Sequence, residues 1–283
     1  MGFAMTNQTH TLKGPLRDVT AWTAYFRAAE IPVLASTAEA LEALRANEDA
    51  VDANSIGEMI SNDPLMTLKV LAYAATHRPS RVVTDTETVT AALVLMGISP
   101  FFRAFGPQPT LEDRLGENPE ALAGLHEVLR RAHRSANFAL GFAVHRMDHD
   151  AAVIHEAALL HDFAEMLLWC HAPQLALRIL VAQQDDPTLR SGAAQLAVLN
   201  VELADLQQAL MKSWRLPELL IRITDDKHAD NPSVRSALLA VRLARHTAQG
   251  WDNAAVPDDV RDIANLLNLS PAATLQLVHD IAE

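Results

Sequence analysis

The chain is poor in cysteine, glycine and aromatic residues. Its 283 residues include a single cysteine, Cys170, which excludes a disulfide framework and favours a reducing cytoplasm. It has only 10 glycines and 5 % aromatic residues, and few β-branched runs alternate with a period of two, which argues against a β-rich fold. Ala and Leu predominate among the 49 % of apolar residues. The sequence therefore predicts an all-α protein with a sizeable core.

Positive charge and long apolar runs are also scarce. The chain has 23 Lys and Arg against 35 Asp and Glu, a formal net charge of -12. An acidic protein repels phosphate backbones, so nucleic acid is not an expected partner. No apolar run approaches the ~20 residues of a membrane-crossing helix, so no membrane association is expected. The polar N-terminus does not resemble a signal peptide, and residues 1–14 are predicted to be a disordered tail.

The common catalytic signatures are missing from the sequence. It contains no Walker loop, no GxGxxG, no CxxC, no HExxH and no GxSxG motif. Phosphate-cradling loops, the usual zinc sites and the serine-hydrolase elbow are thereby excluded. Any chemistry must depend on histidine and carboxylate side chains.

Helix-start and helix-stop signals divide the first half of the chain. Ser36–Glu39 matches a capping box that would open a helix over 37–46. Asp63–Pro64 places a good N-cap before a proline at the first helical position. Thr84–Glu87 repeats the capping-box pattern, and Gly97 is a plausible end of the helix that follows.

A segment rich in proline and glycine, 106–119, is the best candidate for a boundary. It separates a predicted N-terminal helical lobe, 15–112, from a predicted C-terminal lobe, 113–283. Apolar residues at helical spacing then predict a series of longer helices. These are 119–146, 151–170, 173–184, 192–213, 217–226 and 232–249, and a shorter pair closes the chain.

His161 and Asp162 are adjacent polar residues in an apolar helix of this series. With Glu165 they would form a narrow polar stripe on that helix. His133 is predicted to lie on the buried face of the preceding long helix, whereas Arg131 falls off that face. Because imidazole and carboxylate groups bind Zn, Fe or Mn, His133, His161 and Asp162 are a candidate set of metal ligands. The alternative is that both histidines are hydrogen-bonded core residues.

Two further polar clusters are interpreted as solvated. His145–His149 lies at a predicted helix end, and Asp225–Asp230 forms an acidic loop after a later helix. Loose cation binding by the acidic loop is the weaker alternative.

Six short segments together form a more specific pattern. They are Ile31–Leu34 (IPVL), Ile60–Leu65 (ISNDPL), Ala91–Gly97 (AALVLMG), Arg131–Ala136 (RAHRSA), Ala157–Asp162 (AALLHD) and Leu210–Pro217 (LMKSWRLP). In this order they resemble the HDOD domain, the HD-related output domain of bacterial signalling proteins. That domain is related to the HD superfamily of metal-dependent phosphohydrolases. The resemblance extends over roughly 31–250 and implies a multi-helix HD-like fold with two helical lobes packed together.

Three positions depart from the family's pattern in ways that affect a metal site. Glu165 stands where a lysine is usual, Glu202 where many relatives carry histidine, and Arg245 where HD hydrolases carry their last metal-binding aspartate. We predict that Arg245 faces inward and takes over the electrostatic role of the metal, because an unpaired buried charge is very costly. Its expected partner is Asp162, Glu165 or Glu202. An arginine that reaches the surface with only its stem buried is the alternative.

The resemblance implies a cytoplasmic, bacterial signal-transduction or regulatory module that binds a signalling protein or a nucleotide-like small ligand. The alternative is a phosphohydrolase that uses Fe, Mn, Zn or Mg on nucleotides or cyclic dinucleotides. Because the departures weaken the ligand set, we expect a degenerate metal site, no catalytic residue and no cofactor. The candidate ligand-binding residues are His133, His161, Asp162, Glu165, Glu202 and Arg245. A pocket lined by His133, His161 and Arg245 would favour an anion such as phosphate.

Overall fold

Residues 11–77 and 86–282 are described by the structure, a computed structural model. Its α-helices are Val19–Ala28 (α1), Ala35–Arg45 (α2), Ala53–Ile60 (α3), Pro64–Thr76 (α4), Val89–Met96 (α5), Ile98–Ala104 (α6), Leu111–Leu115 (α7), Pro119–His145 (α8), Ala151–Leu159 (α9), Phe163–His171 (α10), Pro173–Asp185 (α11), Ser191–Leu199 (α12), Leu203–Ser213 (α13), Glu218–Ile223 (α14), Pro232–His246 (α15), Val256–Leu267 (α16) and Pro271–Ala282 (α17). Short 3-10 helices span Glu48–Ala50 and Asp226–His228. Within the described ranges the only strand-like pairing is an isolated bridge between Val33 and Thr110. The all-α prediction is confirmed.

The predicted start of the second helix is wrong. α2 begins at Ala35, before the predicted position 37, and no side chain of the Ser36–Glu39 box caps it. Backbone amides at the start of this helix donate hydrogen bonds to side chains that are distant in sequence. Leu34 N donates to Asp63 Oδ2 over 2.8 Å, and Ala35 N donates to Glu112 Oε2 over 2.9 Å. Tertiary hydrogen bonds thus set this helix end, where the sequence had suggested a local box.

The predicted start of α4 at Asp63–Pro64 is confirmed. Asp63 is fully buried, and its Oδ1 accepts hydrogen bonds from the amides of Leu65 and Met66, each 3.0 Å long. Burial raises the pKa of Asp63, and the amides that its carboxylate accepts from oppose this shift. One aspartate therefore caps its own helix and also holds the first turn of α2.

The helix that ends at Gly97 also forms, although its start differs from the predicted one. Thr84, the first residue of the predicted box, lies outside the described residues. α5 begins after Thr88, whose side chain accepts a hydrogen bond from Ala91 N. It ends before Gly97, which has a φ of 81°, a value that glycine adopts without strain.

The long helix α8 is the axis of the C-terminal part of the fold. It packs along α9 and α15, and it also contacts α7, α10, α11 and α17. Its buried residues include Leu125, Leu129 and Ala136, as the apolar spacing predicted, but also Phe138 and Phe142. A continuous apolar core joins it to the N-terminal helices, from Trp22 to Val278. The predicted lobe boundary after residue 112 stays a prediction.

The helix predicted over 151–170 is broken in the structure. α9 ends at Leu159 and α10 begins at Phe163, so His161 and Asp162 lie in the turn between them. Leu160 and Asp162 leave helical geometry, with ψ angles of 0° and 22°. No glycine or proline marks the break in the sequence, and apolar spacing continues across it. The narrow polar stripe predicted on one helix is therefore replaced by a polar turn.

A second predicted helix, 192–213, is also two helices. α12 ends at Leu199, because the C-cap residue Asn200 has a left-handed φ of 65°, and α13 begins at Leu203. Glu202 therefore precedes α13 as its N-cap residue. The last predicted pair forms as α16 and α17. In the described part of the chain, no helix combines the length and the apolar character required to span a membrane.

Candidate functional site

A cavity of about 490 Å³ lies beside the turn that carries His161 and Asp162. It is bordered by residues of α8, α10, α11, α12, α13 and α15 and by the loop after α14. Its polar lining consists of Arg131, His161, Asp162, Glu165, Gln183, Ser191, Gln195, Glu202, Asp205, Gln207, Gln208, Thr224, Asp225, Asp226, Lys227 and Arg245. Trp169 and Leu168 contribute to its apolar lining.

Asp162 is the centre of the charge network in this cavity. Its side chain is 10 % exposed, and both of its oxygens are bonded to arginine. Arg245 Nη2 donates to Oδ1 over 2.6 Å, while Arg131 donates to Oδ2 from Nε over 3.2 Å and from Nη2 over 3.1 Å. Burial raises the pKa of Asp162, but the charges of Arg245 and Arg131 outweigh this and hold it well below its usual value. The carboxylate is ionised, and two guanidinium groups neutralise it.

Arg131 extends this network to a second carboxylate. Its Nη2 also donates to Glu165 Oε2 over 2.7 Å, so one guanidinium bridges the turn and the first helical turn of α10. Burial lowers the pKa of Arg131, but Glu165 and Asp162 more than compensate and raise it. As predicted, Arg131 is not among the buried residues of α8, but its side chain is only 20 % exposed because it faces the turn at Asp162.

The apolar spacing of α8 gives little signal for Arg131. On a wheel of about 100° per residue, adding Phe138 and Phe142 to the apolar face turns its centre by only about 15°, and the centre stays closer to His133 than to Arg131. Both phenylalanines are fully buried. Apolar spacing therefore does not place Arg131 toward the site, and packing of α8 against the turn decides which residue meets it.

His161 is held between two carboxylates. Its Nδ1 lies 3.1 Å from Asp162 Oδ1, and its Nε2 lies 3.1 Å from Asp226 Oδ1. Burial lowers the pKa of His161, but its hydrogen bonds to Asp162 and Asp226 outweigh this and raise it to about 9. At neutral pH the imidazole is therefore protonated and donates from both nitrogens. The acidic loop is not only a solvated turn, because its Asp226 reaches the site.

His133 does not join this site. It is half-buried on α8, and it does not line the cavity. Burial lowers its pKa, and Asp63, not Asp162, is the carboxylate that opposes the shift. The predicted pairing of His133 with His161 across neighbouring helices is wrong, because the face of α8 that meets the turn presents Arg131.

The donor set does not fit a metal ion. Among residues 11–77 and 86–282, no group of three or more His, Cys, Asp or Glu side chains is placed to hold one. Both oxygens of Asp162 accept from arginine, and His161 has both nitrogens engaged with carboxylates. A divalent ion here would meet two fixed guanidinium charges at short range.

Arg245 makes one of the contacts expected of it, the ion pair with Asp162. Its side chain is nevertheless 46 % exposed, so it reaches the acid from the rim of the cavity and is not buried. Glu202 lines the same cavity beside Gly192, and its Oε2 would be 3.0 Å from a β-carbon added at that glycine. The structure thus brings together Asp162, Glu165 and Arg245 but leaves Glu202 outside the ion-pair network.

The charge of the lining is acidic overall. Six carboxylates line the cavity, at Asp162, Glu165, Glu202, Asp205, Asp225 and Asp226, against three permanent cations, Arg131, Lys227 and Arg245. Protonation of His161 does not reverse this excess. The expectation of an anion pocket lined by His133, His161 and Arg245 therefore does not match the observed lining.

Comparisons with known proteins find the same family of fold in a family model and in solved structures. The HDOD domain family model matches residues 31–230. The crystal structure of the MmoQ response regulator from Methylococcus capsulatus str. Bath aligns with a TM-score of 0.61 at 19 % identity, covering 85 % of this chain and 98 % of that chain. A virulence factor from Campylobacter jejuni subsp. jejuni aligns with a TM-score of 0.63 at 17 % identity, covering 94 % and 98 %. No curated protein matches the chain in sequence.

Proposed function

The chain belongs to the HDOD domain family, and from this premise we propose that it is a cytoplasmic regulatory module of bacterial signalling that binds and does not catalyse. The observation that carries the proposal is the position of Asp162, with one oxygen on Arg131 and the other on Arg245. The similar fold of a response regulator supports a signalling role.

The same observation argues against the hydrolase alternative. Metal-assisted hydrolysis needs a bound cation with an open coordination position for water. Here the aspartate of the His-Asp pair is already neutralised, and the histidine carries a proton at neutral pH. The residues that would ligate the ion are therefore occupied by charge pairs inside the protein.

The cavity beside this network is the proposed binding site for a small ligand. Its acidic excess and its amide side chains suit a neutral or cationic polar ligand better than a phosphate. Gln207 is buried, and its Oε1 accepts from Ala164 N over 3.4 Å. Its amide nitrogen has no partner among the described residues and can donate into the cavity.

The ion pairs give such a ligand a means of signalling. Arg131 on α8, Arg245 on α15 and Asp226 after α14 all meet at the turn that carries His161 and Asp162. A ligand that competes for Arg245 or Asp226 would change how these elements are held together. A ligand shifts such an equilibrium only through its different affinity for the two arrangements. The surface that contacts a protein partner would then be formed by α8, α15 and the segment after α14.

Activity and metal assays test the first part of the proposal. Purified protein should contain no stoichiometric metal after incubation with Mn, Mg or Fe, and it should not hydrolyse bis(p-nitrophenyl) phosphate or cyclic dinucleotides. Turnover that disappears in both His161→Ala and Asp162→Ala would overturn it. Arg178→Met, which alters an exposed arginine of α11 away from the cavity lining, is the matched control.

A ligand screen tests the second part. Neutral and cationic polar metabolites should raise the melting temperature of the protein more than nucleoside phosphates do. The shift should shrink in Gln207→Leu and in Glu202→Gln, since both line the cavity. A nucleotide that gives the largest shift, unaffected by these two changes, would place the ligand elsewhere.

A further inference from the structure

A second, separate groove has the opposite charge. It has a volume of about 250 Å³ and lies between α8, α15 and the end of α17. Its lining combines Glu127, Arg130, Arg131, Arg134 and Asn137 with Ala244, Ala248, Ile281 and Ala282. Three arginines against one glutamate give a local positive charge in a chain whose net charge is -12.

Arg134 is the unusual member of this groove. Arg130 is paired with Glu127, and Arg131 is paired with acids of the other cavity. Arg134 has no ion pair or hydrogen bond among the described residues, and its Nε is buried without a partner. Its Nη1 and Nη2 are not buried, and they too make no hydrogen bond to a described residue. An arginine left without any acceptor is a candidate anion ligand.

The guanidinium of Arg134 is held in place without a carboxylate. Its central carbon lies 5.6 Å from the ring centre of Phe138 and 5.3 Å from that of Trp251. Contact with two aromatic rings restricts the movement of the group without using its hydrogen-bond donors. A donor that is oriented before binding loses less conformational entropy when an anion arrives.

We propose that this groove binds a small phosphate-bearing molecule, with Arg134 as the principal ligand and Arg130 and Asn137 as supporting donors. The planar fork of arginine matches two oxygens of a phosphate at once, which a lysine cannot do. The amide of Asn137 adds an uncharged donor on the next turn of the same helix. The neighbouring alanines leave room for the rest of a small molecule. Phosphate binding in this groove does not require a ligand in the cavity beside Asp162.

Arg131 couples the groove to the Asp162 network. It lines both cavities, and its guanidinium donates to Asp162 and Glu165. An anion in the groove attracts Arg131 and weakens its hold on those carboxylates. Linkage requires the converse, so that removing charge from Asp162 strengthens anion binding. The groove is thereby an effector site for the turn between α9 and α10.

Calorimetric titration with inorganic phosphate and with a simple phosphomonoester tests the site. The protein should bind at least one of them saturably, and Arg134→Met should weaken binding about 10-fold, as expected for loss of a charge-assisted hydrogen bond. Arg178→Met removes the same charge from an exposed position of α11 and should leave affinity unchanged. Absence of saturable binding, or equal loss in both variants, would overturn the proposal. Tighter binding of the ester than of free phosphate identifies a phosphorylated molecule, and the reverse order identifies the free ion.

A second experiment tests the coupling. Phosphate should shift the NMR signal of the Arg131 Nε–H group, which donates to Asp162 in the free protein. In Asp162→Asn the phosphate affinity should rise about fivefold, within the usual range of coupling between sites. An unmoved Arg131 signal, or an unchanged affinity in a folded Asp162→Asn variant, would overturn the coupling. Neither result depends on metal content or hydrolysis, so failure here is distinguishable from failure of the proposed function.

Discussion

Asp63, which is fully buried, and Asp162, whose side chain is 10 % exposed, both immediately precede a helix, yet they use their carboxylates differently. Asp63 directs its oxygens at backbone amides and caps α4. Asp162 also occupies the N-cap position, of α10, but its side chain accepts no hydrogen bond from that helix. It points instead at Arg131 and Arg245. The pKa of Asp63 is raised by burial, whereas that of Asp162 is lowered by the two arginines.

The difference separates a structural carboxylate from an adjustable one. Backbone amides cannot move away without unfolding a helix, so Asp63 fixes local geometry. Side-chain guanidinium groups can move away and be claimed by other charges, so Asp162 ties α8 and α15 together through contacts that a ligand can alter. Four substitutions test this comparison, and they are ordered from the largest expected effect to the smallest.

Asp63→Ala should lower the free energy of unfolding by about 4 kcal/mol, because two buried backbone amides and one partly buried amide lose their acceptor at about 1 kcal/mol or more each. Those amides belong to Leu34, Leu65 and Met66. Urea denaturation measures the loss. Asp63→Asn retains an acceptor and should lose about half as much. A loss below about 1 kcal/mol in the alanine variant would remove the structural role assigned to Asp63.

Glu156 is a third buried carboxyl, and no cation among residues 11–77 and 86–282 pairs with it. Its Oε1 accepts from Val89 N over 2.9 Å, and its Oε2 is buried without a partner in the described part of the chain. Burial raises its pKa from 4.5 to about 8, and the hydrogen bond from Val89 opposes this. Between those values the folded protein holds a proton that the unfolded chain releases, so stability falls as pH rises.

Glu156→Gln should remove that fall. Between pH 5 and pH 8 we expect the normal protein to lose about 3 kcal/mol through this group, at ~1.4 kcal/mol per pKa unit, and the variant to lose none of it. Urea melts at a series of pH values measure the slope. An identical slope in both proteins would show that Glu156 is ionised in the fold.

Arg131→Met should cost about 2 kcal/mol, because it leaves the buried Asp162 and the adjacent Glu165 without their shared partner. The side chain of Arg131 is 20 % exposed, so solvent replaces only part of what is lost. The double variant, Arg131→Met with Asp162→Asn, should be less destabilised than the single variant Arg131→Met. Additive losses in a double-mutant cycle would contradict a direct pairing.

Arg245→Met should cost less than about 1 kcal/mol, since exposed ion pairs contribute little. It contacts the same carboxylate as Arg131 but from the solvent-facing rim. Thermal unfolding at low and high salt measures the difference, which salt should reduce further. A loss as large as that of Arg131→Met would show that both arginines hold Asp162 equally, and the distinction between rim and interior would be lost.

The sequence was sufficient for the fold class and for the parts of the site that local pattern encodes. Asp63–Pro64 combines two strong local signals, and the structure uses both. The turn at His161 and Asp162 carries no glycine or proline, so apolar spacing could not show that the helix breaks there. The Arg245–Asp162 pair was foreseen because a charge was expected near a partner of opposite sign. Arg131 and Asp226 were missed because their orientation depends on packing between distant segments.

The first turn of α2 has a consequence for the order of folding. Its amide donors at Leu34 and Ala35 are capped by Asp63 and by Glu112, far along the chain. Loop closure must therefore precede capping, and contacts of long sequence separation form slowly. This turn should be unformed in the transition state, so that Glu112→Gln accelerates unfolding and leaves the refolding rate nearly unchanged. The beginning of α2 is then among the last parts of the chain to fold and among the first to open.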